Sequence, residues 1–307
     1  MVQGERCILA GLVTTVLLLW MLMYAGEEIW EVKLKEGLAV ESGRAKRSAR
    51  VSVSNQRHNL TAAERAYLRS FGIPKLKKAF KPQFSEDDKD QIIQAVKVLT
   101  DALSASGIEY FLYGGSLIGS WRHHDIIPWD DDVDIIVNIS DWQKLESLFI
   151  PGYTMNIHTL NRYKFYNNNA TDISSRFWKW PFIDICFFGD NGTHLYDMDP
   201  TFSKTFVYKK SDVFPLILRP FANLNLKAPK NSELIISQNY DINLCQSRSY
   251  DHKKEKDISL KEITTVNCRQ LYRIYPFVIR EKSRQGIENV YLDGRLLSSI
   301  ETHSSDL

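Results

Sequence analysis

Tyr113 to Asn138 reads YGGSLIGSWRHHDIIPWDDDVDIIVN. It joins a glycine turn (Gly114, Gly115), a basic cluster (Arg122, His123, His124) and four aspartates within five residues (Asp130, Asp131, Asp132, Asp134), which run into the apolar Ile135-Ile136-Val137. Carboxylates crowded together oppose one another's ionisation, so a strand that begins with such a group needs a counter-cation. The two-residue period of a strand puts Asp132 and Asp134 on one face while Val133 and Ile135 pack on the other. Hard oxygen ligands held this way suit Mg²⁺ or Mn²⁺, bound through one or two carboxylates plus substrate phosphates. Upstream, Gly114-Gly115-Ser116 ends one strand and opens a helix. Glycine lets the backbone approach a ligand closely, and helix-start N–H groups favour an anion.

The flanking sequence alternates helical and strand patterns. Ser85 and Asp88 form a capping box before Ile92, Ile93, Val96, Leu99 and Leu103, which share one helical face, and Gly107 is placed to stop that helix. Ile108–Tyr113 then reads as a buried strand, Ser116–Trp121 as a short helix and Asp132–Val137 as a second strand. Asp141–Phe149 follows as an amphipathic helix, and Tyr153–Leu160 with Arg162–Asn167 as a hairpin around Asn161. Phe182–Phe188 (FIDICFF) is a further strand, apolar apart from Asp184. Beyond it, Phe206–Pro229 is β-rich and interrupted by prolines. Asn231–Lys256 is polar and irregular, and Glu262–Lys282 is read as a last helix that Pro276 would break. The expectation is an α+β fold with a central mixed β-sheet, flanking helices and the hairpin at the sheet edge.

The 307 residues include 44% hydrophobic and 25% charged side chains, both ordinary for a globular protein, and a net charge of +2. That balance gives no support to a nucleic-acid binder held by bulk electrostatics. Near the N-terminus, Cys7–Ala25 runs 19 residues without a charge. As a helix it would cover roughly 28 Å, close to the hydrocarbon core of a bilayer. Arg6 precedes it and Glu27, Glu28 and Glu31 follow, so the positive-inside tendency sends the body into the lumen as a single-pass type II protein. A cleaved signal peptide is the competing reading, but the stretch is long for one, and Met23 and Tyr24 fit poorly beside a cut after Ala25. The expected organisation is a cytosolic tip and signal anchor at 1–26, a lumenal stem at 27–84 and a globular body at 85–307. Glycosylation sequons at Asn59, Asn169 and Asn191 suit a lumenal body, while a fourth at Asn138 closes a core strand. Cys186 reads as a buried small hydrophobe. Cys245 and Cys268 close a modest loop and are candidates for one disulfide.

The glycine turn followed by a strand carrying Asp-x-Asp resembles the nucleotidyltransferase superfamily, which places a third carboxylate on a later strand; Asp184 is the matching residue. A buried Asp without a cation or donor is costly, and a metal accounts for its placement. The run Tyr113-Gly114-Gly115-Ser116-Leu117-Ile118-Gly119, then Arg122-His123-His124, then Ile127-Pro128-Trp129-Asp130-Asp131-Asp132-Val133-Asp134, is similar to the LicD family, which includes bacterial phosphocholine transferases and animal fukutin and fukutin-related proteins. Looser agreement at FIDICFF, Phe214-Pro215-Leu216, Arg219-Pro220-Phe221 and Tyr240 extends the resemblance over about Ser85 to Asp257.

That resemblance implies a metal-dependent phosphotransferase, moving a phospho-alcohol such as ribitol phosphate or phosphocholine from a CDP-linked donor to the hydroxyl of a glycan or glycoprotein. Asp132, Asp134 and Asp184 would hold the metal. Arg122 with His123 or His124 would meet donor phosphates, and Gly114, Gly115 and Ser116 would line the donor pocket. A structural role for the two histidines stays open, because adjacent residues point different ways. The anchor and lumenal body match a Golgi or ER membrane location, and homo-oligomerisation is left open. Departures from the family pattern, at Asp125-Ile126, Asn223 and Asp241, bear on substrate identity. A non-catalytic lumenal binding protein that kept the fold is the competing reading.

Overall fold

The computed structural model describes residues 72–159, 161–174, 176–280 and 286–302. The Cys7–Ala25 stretch, Asn59 and most of the segment read as stem lie outside them. Among the described residues no helix is long and apolar enough to cross a membrane.

A short helix, α1 (72–79), places Leu76 and the following Phe80 in the core, so the end of the segment read as stem contributes to the body's packing. The capping box forms as its sequence predicts. The Ser85 hydroxyl accepts the Asp88 N–H and the Asp88 carboxylate accepts the Ser85 N–H, each at 3.2 Å, opening α2 (Glu86–Ala105). Its predicted apolar face is the buried one, and Gly107, at φ +65°, turns the chain into β1 (Tyr110–Leu112).

Next come α3 (Gly114–His123), β2 (Val133–Asn138), α4 (Trp142–Glu146), β3 (Tyr153–Thr159), β4 (Arg162–Asp172) and β5 (Lys179–Asp190). The sheet order is β1-β2-β5-β4-β3. Strand β2 runs parallel to β5 and the other neighbours are antiparallel. The expected central mixed sheet and edge hairpin are therefore present. Two further strands, β6 (His194–Asp197) and β7 (Val207–Lys209), extend it beside the end of β5. The proline-rich segment gives α5 (Lys210–Val213) and a hairpin of β8 (Ile217–Phe221) and β9 (Leu224–Ala228).

The C-terminal third departs from expectation. Ser232–Asn239 forms a helix, α6, inside the segment read as irregular. Among the described residues the helix expected over Glu262–Lys282 is replaced by strands and one 3-10 turn at Cys268–Leu271: Thr265–Asn267 pairs with Leu244–Gln246, and Phe277–Arg280 pairs with Ile287–Leu292, which in turn pairs with Arg295–Glu301. The β-branched Thr264-Thr265-Val266 run favours a strand, and a Cys245–Cys268 disulfide pins the first of these pairs. An apolar run interrupted by Pro276 resembles a broken helix in composition, and a short run of that kind fits a strand equally well.

A buried ionic cluster ties the C-terminal sheet to the end of α3. Glu288 accepts from Arg219 Nη2 at 2.9 and 3.1 Å and from Arg280 Nε at 2.7 Å, and lies 2.6 Å from His124 Nε2. Both guanidiniums stack on Trp121, their carbons 3.4 Å (Arg280) and 4.6 Å (Arg219) from its ring centroid. Burial alone would raise the Glu288 carboxyl, but the His124 hydrogen bond and the charges of Arg280 and Arg219 bring it down to about 2 from an ordinary 4.5.

Removing that charge leaves buried Arg219 and half-buried Arg280 without their counter-charge, so Glu288→Gln should cost about 3–5 kcal/mol in urea unfolding at neutral pH; a loss under about 1 kcal/mol would contradict a central role for the cluster. A carboxyl lowered in the folded state stabilises fully above its ordinary pKa and loses that contribution as pH falls through the folded value. The wild-type urea midpoint should accordingly drop between pH 4.5 and about 2, more steeply than that of Glu288→Gln.

Candidate metal and phosphate site

The register of the sheet assembles the site. Asp134 on β2 lies directly opposite Asp184 on the parallel strand β5, and Lys164 on β4 lies opposite Asp184 from the other side. Directly opposed residues share a face, so these three form one row across three strands, with Asp132 just before β2. One carboxylate oxygen from each of Asp132, Asp134 and Asp184 comes within 4.8 Å of the others.

The glycine turn fixes this geometry from above. The Asp134 N–H donates to Ser116 Oγ at 2.7 Å, and the Asp134 carbonyl accepts the Tyr113 N–H at 3.3 Å. The first turn of α3 is thereby clamped to the backbone of a metal-ligand candidate. Gly114 has φ +50°, and a Cβ there would lie 3.3 Å from Asp134 Oδ2; a Cβ on Gly115 would lie 2.8 Å from Asp130 Oδ2. Neither position accepts a side chain without displacing a carboxylate.

Electrostatically the carboxylates are frustrated. Burial, then the neighbouring Asp131 charge, pushes Asp130 up to about 7. Burial with Asp130, Asp184 and Asp131 pushes Asp132 up to about 7, against the pull of His252. Burial, Asp132 and Asp184 hold Asp134 well above the carboxylate range. A cation removes this repulsion, and the all-oxygen donor set fits a hard divalent ion. Three protein cations already border the row. Lys164 Nζ is 2.8 Å from Asp184 Oδ1 and 3.6 Å from the Phe182 ring centroid. Arg162 Nη1 is 3.8 Å from Asp184 Oδ2, and His252 Nε2 is 3.2 Å from Asp132 Oδ2.

Asp131 anchors a loop and, with Asp132 and His252, forms a second group whose ligand atoms lie within 4.8 Å of one another. It accepts from Arg248 Nη1 at 2.5 Å and from the His252 N–H at 3.0 Å, and lies 2.8 Å from His252 Nδ1. Burial would lower the His252 imidazolium, but Asp132, then Asp131, raise it to about 10. His252, Arg162 and Lys164 were not singled out in the sequence. The signal for the last two is the cation spacing Arg162-Tyr163-Lys164 on a strand, which puts both on one face.

The residues expected to meet phosphate are spread along α3. Gly114–Ser116 occupy its first turn while Arg122 and His123 end it, about 12 Å further along the axis. Arg122 Nη1 contacts the Leu244 carbonyl at 3.3 Å and the sulfurs of Cys245 and Cys268 at 2.8 and 3.2 Å. His123 packs between the rings of Trp129 and Phe277 with Nδ1 2.6 Å from the Pro276 carbonyl, and burial, then Arg122, lowers it to about 3. His124 belongs to the Glu288 cluster. All three are buried at the C-terminal end of α3, and among the described residues Arg122 Nε and His123 Nε2 have no hydrogen-bond partner. The disulfide forms between Cys245 and Cys268, with an S–S distance of 2.07 Å. Asn169 and Asn191 are exposed, whereas Asn138 is half-buried and caps the turn after β2 through Ser140.

Residues 107–231 match the family described as LicD/FKTN/FKRP, nucleotidyltransferase domain. The chain is 44% identical over 55 residues to the ribitol 5-phosphate transferase FKRP of Homo sapiens, covering 18% of this chain and 11% of that protein, and matches its Mus musculus counterpart equally. It is 49% identical over 37 residues to the lipopolysaccharide cholinephosphotransferase LicD of Haemophilus influenzae, covering 12% of this chain and 14% of that protein. The chain thus matches about a tenth of the length of these relatives. The matched segment, residues 107–231, is the one that carries Asp132, Asp134 and Asp184.

Proposed function

We propose that the protein is a metal-dependent phosphotransferase that moves a phospho-alcohol from a CDP-linked donor to the hydroxyl of a glycan. The observation that carries this reading is the convergence of Asp132, Asp134 and Asp184 on one face of the sheet, in a family whose named relatives transfer ribitol 5-phosphate or cholinephosphate. In the reaction the acceptor oxygen forms a bond to the phosphorus bearing the alcohol. The bond from that phosphorus to the bridging oxygen breaks, CMP departs and the hydroxyl proton passes to solvent. Mg²⁺ or Mn²⁺ held by the three carboxylates would supply charge neutralisation of the phosphate oxygens. Asp134, fixed at both backbone groups by Tyr113 and Ser116, orients the cluster. Gly114 and Gly115 keep the space above it open for the donor.

A lumenal location in the Golgi or ER suits the chain. The Cys245–Cys268 disulfide is characteristic of an oxidising compartment, exposed Asn169 and Asn191 are available to glycosylation, and the apolar 7–25 stretch would anchor the body through a stem. One observation favours the second reading, a non-catalytic binding protein: Lys164 occupies one oxygen of Asp184 at 2.8 Å, where its ammonium stands in for part of the cation's charge.

Two measurements separate these readings. Mn²⁺ at 100 times its Kd should raise the stability of the wild-type chain by about 2.7 kcal/mol, and Asp134→Asn should abolish both that gain and transfer from CDP-ribitol or CDP-choline. Transfer that survives Asp134→Asn overturns the mechanism, and a wild-type chain indifferent to Mn²⁺ supports the binding protein. Gly115→Ala, whose Cβ meets Asp130 Oδ2 at 2.8 Å, should fold and lower transfer at least tenfold.

A further inference from the structure

Arg122, His123 and His124 end α3, where they contact Cys245, Pro276 and Glu288 of the C-terminal third, so a cation for the donor's diphosphate is needed nearer the acidic row. The sheet supplies one. Arg162 opens β4, two residues before Lys164 and therefore on the same face. It lies opposite Cys186, which is itself one pleat beyond Asp184. The acidic row and Arg162 thus border the same space, beneath the Gly114-Gly115 turn.

The two cations of β4 differ in how they are held. Lys164 is 3% exposed, bonded to Asp184 Oδ1 at 2.8 Å and covered by the Phe182 ring. It keeps one oxygen of Asp184 turned toward the sheet. Arg162 has a side chain 29% exposed and only two long ion pairs, 3.8 Å to Asp184 Oδ2 and 3.9 Å to Asp199 Oδ2. Among the described residues none of its five N–H donors makes a hydrogen bond, although the guanidinium is always charged and its fork matches two phosphate oxygens. The long pairs keep the guanidinium at the mouth of the acidic row without saturating it. Asp199 holds it from the far side and is itself anchored through its N–H to Asp197 Oδ1 at 2.7 Å, and the other oxygen of Asp197 accepts from Tyr113 Oη at 2.6 Å.

We infer that Arg162 is the donor-phosphate clamp of this site, taking a nucleoside diphosphate ester between its guanidinium and a cation on Asp132, Asp134 and Asp184. The inference rests on the phosphotransferase reading and names the substrate-facing residue within it. The clamp moves from the long pairs onto the phosphates when the donor binds, because a forked contact to phosphate is shorter and stronger than either pair. Asp199 is a positioning residue that aims the free guanidinium. Lys164, already bonded, holds Asp184.

The test is calorimetric titration of the full chain with CDP in the presence of Mn²⁺, and with Mn²⁺ alone. Arg162→Ala should weaken CDP binding about ten- to hundredfold, as expected for a lost charge-assisted contact, and Arg162→Lys should recover part of it. Mn²⁺ binding without nucleotide should be retained or tightened in both, because a competing positive charge is removed or unchanged. Partial rescue by lysine distinguishes a phosphate contact from a packing role and guards against a poorly folded alanine variant. If the wild type binds CDP with Mn²⁺ and Arg162→Ala binds it equally well, the clamp is wrong while the phosphotransferase reading stands. If Arg162→Ala weakens Mn²⁺ binding as much as CDP binding, Arg162 only supports the carboxylates and the clamp is again overturned. A wild type that shows no Mn²⁺-dependent CDP affinity overturns both.

Discussion

Like-charge repulsion among Asp130, Asp132, Asp134 and Asp184 is the constraint around which the molecule is arranged. Two parallel strands bring their carboxylates onto one face, and burial leaves Asp130, Asp132 and Asp134 reluctant to ionise. The fold holds them there regardless. Asp134 is clamped by both backbone groups to the start of α3, and Asp184 is bonded to Lys164. Asp132 faces a His252 that Asp131 orients.

The C-terminal third supports this arrangement from outside the matched segment. Arg248 and His252 bind Asp131, so a loop far along the chain covers the flank of the acidic run. The Cys245–Cys268 bridge packs on Arg122, and Glu288 gathers His124, Arg219 and Arg280. The basic residues at the end of α3 therefore serve as the attachment point of the C-terminal sheet. One helix carries at its start the glycine turn beside Asp134 and at its end a structural anchor.

The sequence exposes what depends on local periodicity. Asp132 and Asp134 are legible because a strand alternates, α2 because its cap and apolar face are both local, and the glycine turn because paired glycines mark a strand-to-helix connection. Asp184 stands out as the single acid in an apolar strand. What it hides depends on long-range partners. The roles of Arg122, His123 and His124 turn on residues more than a hundred positions away, at Cys245, Pro276 and Glu288. Arg162 and Lys164 acquire meaning only once β4 is seen to pair with β5. The C-terminal strands were obscured because a short apolar run of mixed composition fits a buried strand as well as a helix.

The central claim is that the carboxylate row is a cation site. A crystal of the protein soaked in Mn²⁺ tests it most directly, through the anomalous difference map. The account predicts a peak bound by oxygens of Asp132, Asp134 and Asp184 at roughly 2.1–2.2 Å, typical of a hard divalent ion. A map with no peak there, or with the ion held elsewhere and Lys164 still closing Asp184, would contradict it.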